Sequence, residues 1–171
     1  MATERVTYRI VASPLGEFIA GVTPRGCCLF EFRDRGGLER IRARIEKRYS
    51  LEMVEGESPL LSAVASQSEE YFTGRRKTFD LQLDLEGTTF EKLVWAQLLR
   101  IPYGETRSYG ELAAILRNPG ASRAVGRANG ANCVAVIVPC HRVIEADGKL
   151  RGYGGGLWRK RYLLDLEQAP A

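Results

Sequence analysis

The chain has 171 residues, 44% hydrophobic and 27% charged, with a formal net charge of +4, four cysteines and a single histidine. These proportions exclude a disordered or collagen-like chain and suit one domain or two small ones. No apolar run approaches the roughly 18 residues of a membrane span, the longest strongly hydrophobic stretch being a short one around Val134 to Val138.

The N-terminus, Met1 to Ile10, carries Glu4, Arg5 and Arg9 and lacks an apolar signal-peptide core, so a cytoplasmic protein is expected. Residues 1–86 read as a small α/β domain, a sheet with helices. Thr7–Ala12 and Glu17–Thr23 flank the turn Ser13-Pro14-Leu15-Gly16 as a β-hairpin, and Cys27–Phe32 follows Pro24-Arg25-Gly26 as a third strand. Leu38, Ile41, Ile45 and Tyr49 recur at helical spacing, which predicts an amphipathic helix over 38–49. A second helix spans Pro59–Phe72. Phe79, Leu81, Leu83 and Leu85 alternate with polar residues, the period of a half-buried strand. Cys27 and Cys28 read as small packed hydrophobes. The four cysteines show no secreted disulfide pattern, and one histidine leaves too few ligands for a Cys/His metal site, so no metal is expected.

The domain boundary falls at Glu86-Gly87, and residues 87–171 read as a mostly α second domain. Thr88 with Glu91 has capping-box spacing and starts a helix that turns Phe90, Leu93, Val94, Leu98 and Ile101 toward a core. Pro102-Tyr103-Gly104 stops it. Ser108 with Glu111 repeats the box, followed by an apolar face of Leu112, Ala113, Ile115 and Leu116. Asn118-Pro119-Gly120 breaks this helix, and Ala121–Asn129 forms another, rich in small residues and carrying Arg123 and Arg127. Helix, turn, helix in this form fits either a DNA-binding helix-turn-helix or an ordinary helical hairpin. Charge leans toward the first. Residues 1–86 hold 13 basic against 14 acidic residues, net −1, whereas residues 87–171 hold 12 against 7, net +5.

Asn132–Val138 reads as a buried strand that delivers Pro139-Cys140-His141-Arg142-Val143. Proline fixes the direction in which Cys140 is presented, and His141 and Arg142 beside it favour the thiolate. On an extended chain, neighbouring side chains point apart, so a bridging water suits a Cys140–His141 relay better than a direct bond. A third group is needed to orient the imidazole; Glu145, Asp147, Asp165 and Glu167 are the candidates.

The Pro139–Val143 stretch, preceded by Ser122-Arg123-Ala124-Val125-Gly126 and Asn132, resembles the O6-alkylguanine-DNA alkyltransferases. The likeness continues through Ile101-Pro102-Tyr103-Gly104-Glu105, Ser108-Tyr109, Tyr153-Gly154-Gly155-Gly156-Leu157 and Leu163-Leu164-Asp165-Leu166-Glu167. These motifs run from about Phe90 to Glu167 in family order; residues 1–86 carry little signal of their own. The resemblance implies an α/β N-terminal domain of structural or regulatory role, and a winged-helix-like C-terminal domain that binds DNA and transfers the alkyl group. It implies a monomer that acts once on double-stranded DNA, flips out O6-alkylguanine (and O4-alkylthymine) and takes the alkyl group irreversibly, without cofactor. By motif position, Cys140 would be the acceptor, His141 its base through a water, and Glu167 the residue that orients His141. Asn132 would brace the turn, and Tyr109 would give a proton to the departing guanine. Arg123 would fill the vacated stack, on a helix whose Ala124, Gly126 and Arg127 meet the DNA. Val143, Tyr153, Gly154 and Lys160 would line the base pocket.

Two departures from the family pattern stand out. Gly154 replaces a serine of some members, removing a side-chain contact to the base. Asn129 falls at a position that varies among members. The sequence also bears on three rival readings. A helix-turn-helix regulator leaves Pro139–Val143 unexplained, a cysteine hydrolase leaves the DNA-binding unit unexplained, and a catalytically dead relative would lack Cys140.

Overall fold

A computed structural model of the chain describes residues 3–150 and 152–168. It divides into two compact units, Met1–Glu86 and Gly87–Ala171.

The first unit is a four-stranded sheet with two helices. Strands β1 (Arg5–Val11), β2 (Phe18–Thr23) and β3 (Gly26–Phe32) form an antiparallel meander. Helix α1 (Gly37–Tyr49) leads to β4 (Glu52–Glu55), which joins β1 in parallel, giving the order β3-β2-β1-β4. Helix α2 (Pro59–Phe72) starts on a Ser58 cap and packs on the first three strands through Leu61, Val64, Ser68, Tyr71 and Phe72. Every residue of β2 and β3 is buried, which is why both read as near-continuous apolar runs. Phe18 anchors this core, stacked on Phe30 with 4.1 Å between ring centroids.

The alternating segment Phe79–Leu85 does not form the expected strand. It runs beside β3 and makes one isolated bridge, Cys27 to Leu83, with Cys27 N–H donating to the Gln82 carbonyl (2.8 Å) and Asp84 N–H to that of Cys27 (2.9 Å). Its polar positions are not all outward, since Asp84 is buried and accepts from the Thr23 hydroxyl. Close approach is possible because position 26 is glycine: a Cβ there would lie 2.7 Å from the Leu83 carbonyl carbon. Four residues too polar to signal a strand, Glu52–Glu55, form β4 because the edge of β1 supplies the ladder.

The second unit begins with α3 (Thr89–Leu98), closed by the full Thr88/Glu91 capping box. Its buried face is Val94, Trp95 and Leu98; Leu93, expected inside, is exposed. Trp95 takes that place because its indole N–H reaches the Ala128 carbonyl at 2.8 Å. The short strand β5 (Arg107–Ser108) runs into α4 (Tyr109–Ile115), again with a complete capping box, and α5 (Ser122–Gly130) follows after the break. Within α4, Leu112 and Ala113 are buried and Ile115 is not.

The expected strand at Asn132–Val138 is instead a knot of buried turns. Cys140–Arg142 form one 3₁₀ turn, β6 (Val143–Ile144) pairs in parallel with β5, and α6 (Leu157–Gln168) ends the described chain. An apolar run of this length does not distinguish a buried strand from buried coil. Here the backbone groups find their partners locally and in the side chain of Asn132.

Candidate active site

Asn132 organises the turn that presents the thiol. Its Oδ1 accepts from Val134 N–H (2.9 Å), and its Nδ2 donates to the carbonyls of Val138 (3.0 Å) and Val134 (3.3 Å). Ile137 N–H closes on Ala135 (2.7 Å) and Val138 N–H on Val134 (3.0 Å). Val136 is thereby held at φ +69°, a conformation that costs a β-branched residue about 1–3 kcal/mol. Such strain persists only where surrounding bonds over-determine it, and the Asn132 amide supplies three of them.

Pro139 then turns the chain into the 3₁₀ turn, with Arg142 N–H donating to the Pro139 carbonyl at 3.0 Å. Cys140 is buried at its start, 7% exposed. This corrects the extended geometry expected there: Cys140 and His141 are successive residues of a tight helical turn. From Val143 onward the chain pairs with β5, whose Ser108 caps the helix that starts at Tyr109. The same two-stranded pairing therefore fixes both Tyr109 and the thiol turn. Val143 itself is fully buried.

Of the four acidic candidates for orienting His141, Glu167 meets it. His141 Nε2 and Glu167 Oε2 are 2.7 Å apart, and both side chains are withdrawn from solvent. Asp165 lies exposed 3.9 Å from Arg161, and Asp147 accepts from Lys149 N–H in a surface turn. Burial lowers the His141 pKa more than Glu167 raises it, so the imidazole is neutral. Burial pushes the Glu167 carboxyl up, but the hydrogen bonds from His141 and Arg142 and the charge of Arg142 outweigh it and bring it to about 2. A neutral imidazole beside a carboxylate donates from Nε2. The lone pair then sits on Nδ1, which is buried without a hydrogen-bond partner among the described residues.

Arg142, next to Cys140 in sequence, directs its hydrogen bonds to Glu167. Its guanidinium holds Glu167 through Nε (2.8 Å) and Nη2 (3.0 Å) and reaches the Ile101 carbonyl through Nη1 (2.7 Å). Lys160 is a cation that shares electrostatics with Cys140; it is wholly buried, with its pKa lowered by burial against the opposing charges of Cys140 and Glu145. Tyr109 keeps its proton, its pKa raised by burial and then by Glu145 and Cys140. Cys140, His141, Glu167, Asn132, Tyr109 and Lys160 thus share one neighbourhood.

Helix α5 supplies the outer side. Arg123 and Arg127, one turn apart, are exposed, whereas Ala124 and Gly126 are half-buried. A Cβ at Gly126 would lie 3.8 Å from the Tyr109 ring, so this helix runs close against α4. Tyr153 is half-buried and Gly154 exposed, in a turn closed by Gly156 N–H to the Tyr153 carbonyl at 2.9 Å.

Asn129 had signalled only a variable position. In the structure it is buried, and its Nδ2 donates to the Cys140 carbonyl at 3.3 Å, tying α5 to the thiol turn. The sequence held a cue: Asn129 follows buried Val125 by four residues, hence lies on the same inward helix face. Among the described residues no three His, Cys, Asp or Glu side chains gather as a metal site, and no helix is long and apolar enough to cross a membrane.

Fold and site define a helix-turn-helix protein with a buried thiol backed by a histidine–carboxylate pair. Residues 89–169 match the family described as 6-O-methylguanine DNA methyltransferase, DNA binding domain. The methylated-DNA–protein-cysteine methyltransferase of Methanosarcina acetivorans is 47% identical over 160 residues, 94% of this chain and 97% of that protein. The Mycobacterium tuberculosis protein of the same name is 60% identical over 110 residues, 64% of this chain and 67% of its own. The crystal structure of Mycobacterium tuberculosis OGT in complex with DNA superimposes with a TM-score of 0.81 at 44% identity, covering 95% of this chain and 92% of that one. The chain belongs to the methylated-DNA–protein-cysteine methyltransferase family.

Proposed function

We propose that this protein repairs DNA by direct reversal, moving the alkyl group of O6-alkylguanine onto its own Cys140. The observation that carries the reading is the buried Cys140-His141 turn with His141 held 2.7 Å from Glu167, set beside a helix-turn-helix in a family that bears this activity in its name. An sp³ carbon is dealkylated best by a soft, polarizable nucleophile, and a thiolate is one. The Cys140 proton passes through a water to His141 Nδ1, and Glu167 stabilises the imidazolium that forms. Sulfur then bonds the alkyl carbon as the O6–carbon bond breaks, and the Tyr109 hydroxyl neutralises the guanine by giving the ring a proton. Lys160 holds developing negative charge near the sulfur.

A base within a duplex cannot reach a buried thiol, so the nucleotide must leave the stack. Arg123, exposed on α5, fills the gap, with Arg127 on the phosphates and Ala124 and Gly126 allowing close approach. Val143, Tyr153 and Gly154 receive the base. On this reading Gly87–Ala171 performs the reaction and Met1–Glu86 supports it, in a monomeric cytoplasmic protein that needs no cofactor. Because the thioether is not reversed, incubation with an excess of O6-methylguanine duplex will transfer methyl until each chain carries one equivalent, then stop. Continued turnover would overturn the proposal.

A further inference from the structure

We propose that Arg159 and Trp158 are positioning residues: together they clamp the Tyr153–Gly156 turn to the head of α6 and so fix the wall that faces the alkylated base. This deepens the reading of the site given above and rests on it.

Three observations converge. Arg159 is buried, 6% exposed, and its Nη1 donates to the Gly155 carbonyl at 3.2 Å. Its guanidinium lies over the Trp158 indole, 5.0 Å from the ring centroid. The indole in turn covers Gly156: a Cβ built there would stand 3.4 Å from Trp158 Cδ1 and 3.6 Å from Nε1. Gly156 is at φ +96°, a conformation that L side chains rarely adopt, and both Arg159 N–H and Lys160 N–H donate to its carbonyl. A three-glycine run would otherwise be the most yielding part of the site. Here a cation and an aromatic ring grip it from the next helical turn.

Trp158 has no fold-level reason to be large. It is 60% exposed on the first turn of α6, where a polar residue would satisfy the helix, yet it is seated against Gly156. The next residue after Arg159 is Lys160, which feels the charge of Cys140, and the same helix carries Glu167. The clamp therefore locks the wall to the frame that holds the reacting groups. A wall held rigid favours a small alkyl group over a large one, because a bulky substituent needs the turn to yield.

The test uses the full chain with Trp158→Ala, Arg159→Lys and Trp158→Phe. Lysine keeps the charge but loses the planar fork that both stacks and donates; phenylalanine keeps a ring for the cation. Hydrogen exchange at the Gly156 amide will accelerate about tenfold in Trp158→Ala and Arg159→Lys, and stay near the parent rate in Trp158→Phe. Exchange at Cys140–Arg142 will be unchanged, which separates clamp loss from general unfolding. In single-turnover assays the saturating rate on methylated duplex will fall about tenfold in the first two variants, at unaltered half-saturating DNA concentration. Their rate ratio for O6-benzylguanine over O6-methylguanine in DNA will rise. Gly156 exchange at the parent rate in Trp158→Ala and Arg159→Lys would refute the clamp, and faster exchange with unaltered rates and ratio would refute its role in the reaction. Faster Gly156 exchange in Trp158→Ala and Arg159→Lys, with a parent chain that accepts no alkyl group, would instead leave the clamp standing and remove the functional reading.

Discussion

Glu167→Gln will slow alkyl transfer by about 10²-fold or more and lower the stability of the fold by roughly 3–5 kcal/mol. The two losses share one cause. Glu167 binds His141 and Arg142 at once, with only 1% of its side chain exposed. An amide still accepts from His141 Nε2 but carries no charge, so Arg142 becomes a buried cation without a counter-ion and the imidazolium loses its stabiliser. The pH dependence separates this from simple loosening. The Glu167 carboxyl, brought down to about 2 in the folded chain, contributes stability that is present above the ordinary carboxylate range and lost as pH falls toward that value. His141, held neutral by burial, adds a loss of the same sign below the ordinary imidazole range. Urea titrations between neutral pH and pH 3 will show the parent losing stability on acidification. Glu167→Gln will lack the carboxylate share of that loss.

Arg123→Ala will slow repair of O6-methylguanine in duplex DNA about 10²-fold while leaving reaction with free O6-benzylguanine near the parent rate. Only the duplex substrate has to be unstacked, at a few kcal/mol, and only there does an inserted side chain offset part of that cost. Arg123 is exposed on α5 and takes no part in the Cys140–His141–Glu167 arrangement, so its loss leaves the chemistry intact. Single-turnover rates on the two substrates provide the measurement. Equal slowing of both would place Arg123 in the chemistry or the fold rather than in base extrusion.

Local signals in the chain were legible where one residue sets the geometry. The two capping boxes, Thr88 with Glu91 and Ser108 with Glu111, form as written, and Ser58-Pro59 starts α2 where helix chemistry says it should. Periodicity failed where tertiary partners decide. Phe79–Leu85 alternates like a strand, but it meets β3 at a single bridge; Glu52–Glu55 shows no strand pattern, but it pairs along β1. Asn132–Val138 has the apolar content of a strand, but the hydrogen bonds of one asparagine amide fold it into turns. The site was legible as a set of residue types and became specific only through long-range geometry. Nothing near Arg142 in sequence announces Glu167 or the Ile101 carbonyl as its partners. Asn129 and Arg159 escaped for a related reason: each acts on a backbone carbonyl, and carbonyls leave no mark on a sequence.

The central claim is that the chain itself, at one sulfur, is the acceptor. Peptide mass mapping after reaction with O6-methylguanine duplex addresses it directly. Cys133 and Cys140 share one tryptic peptide, residues 128–142, and its fragmentation will place the mass of one methyl group in place of hydrogen on Cys140; Cys133 and the peptide with Cys27 and Cys28 will stay unmodified, and Cys140→Ser will gain none. Methyl found on another cysteine, or a folded parent chain that gains no mass while the lesion persists, would contradict it.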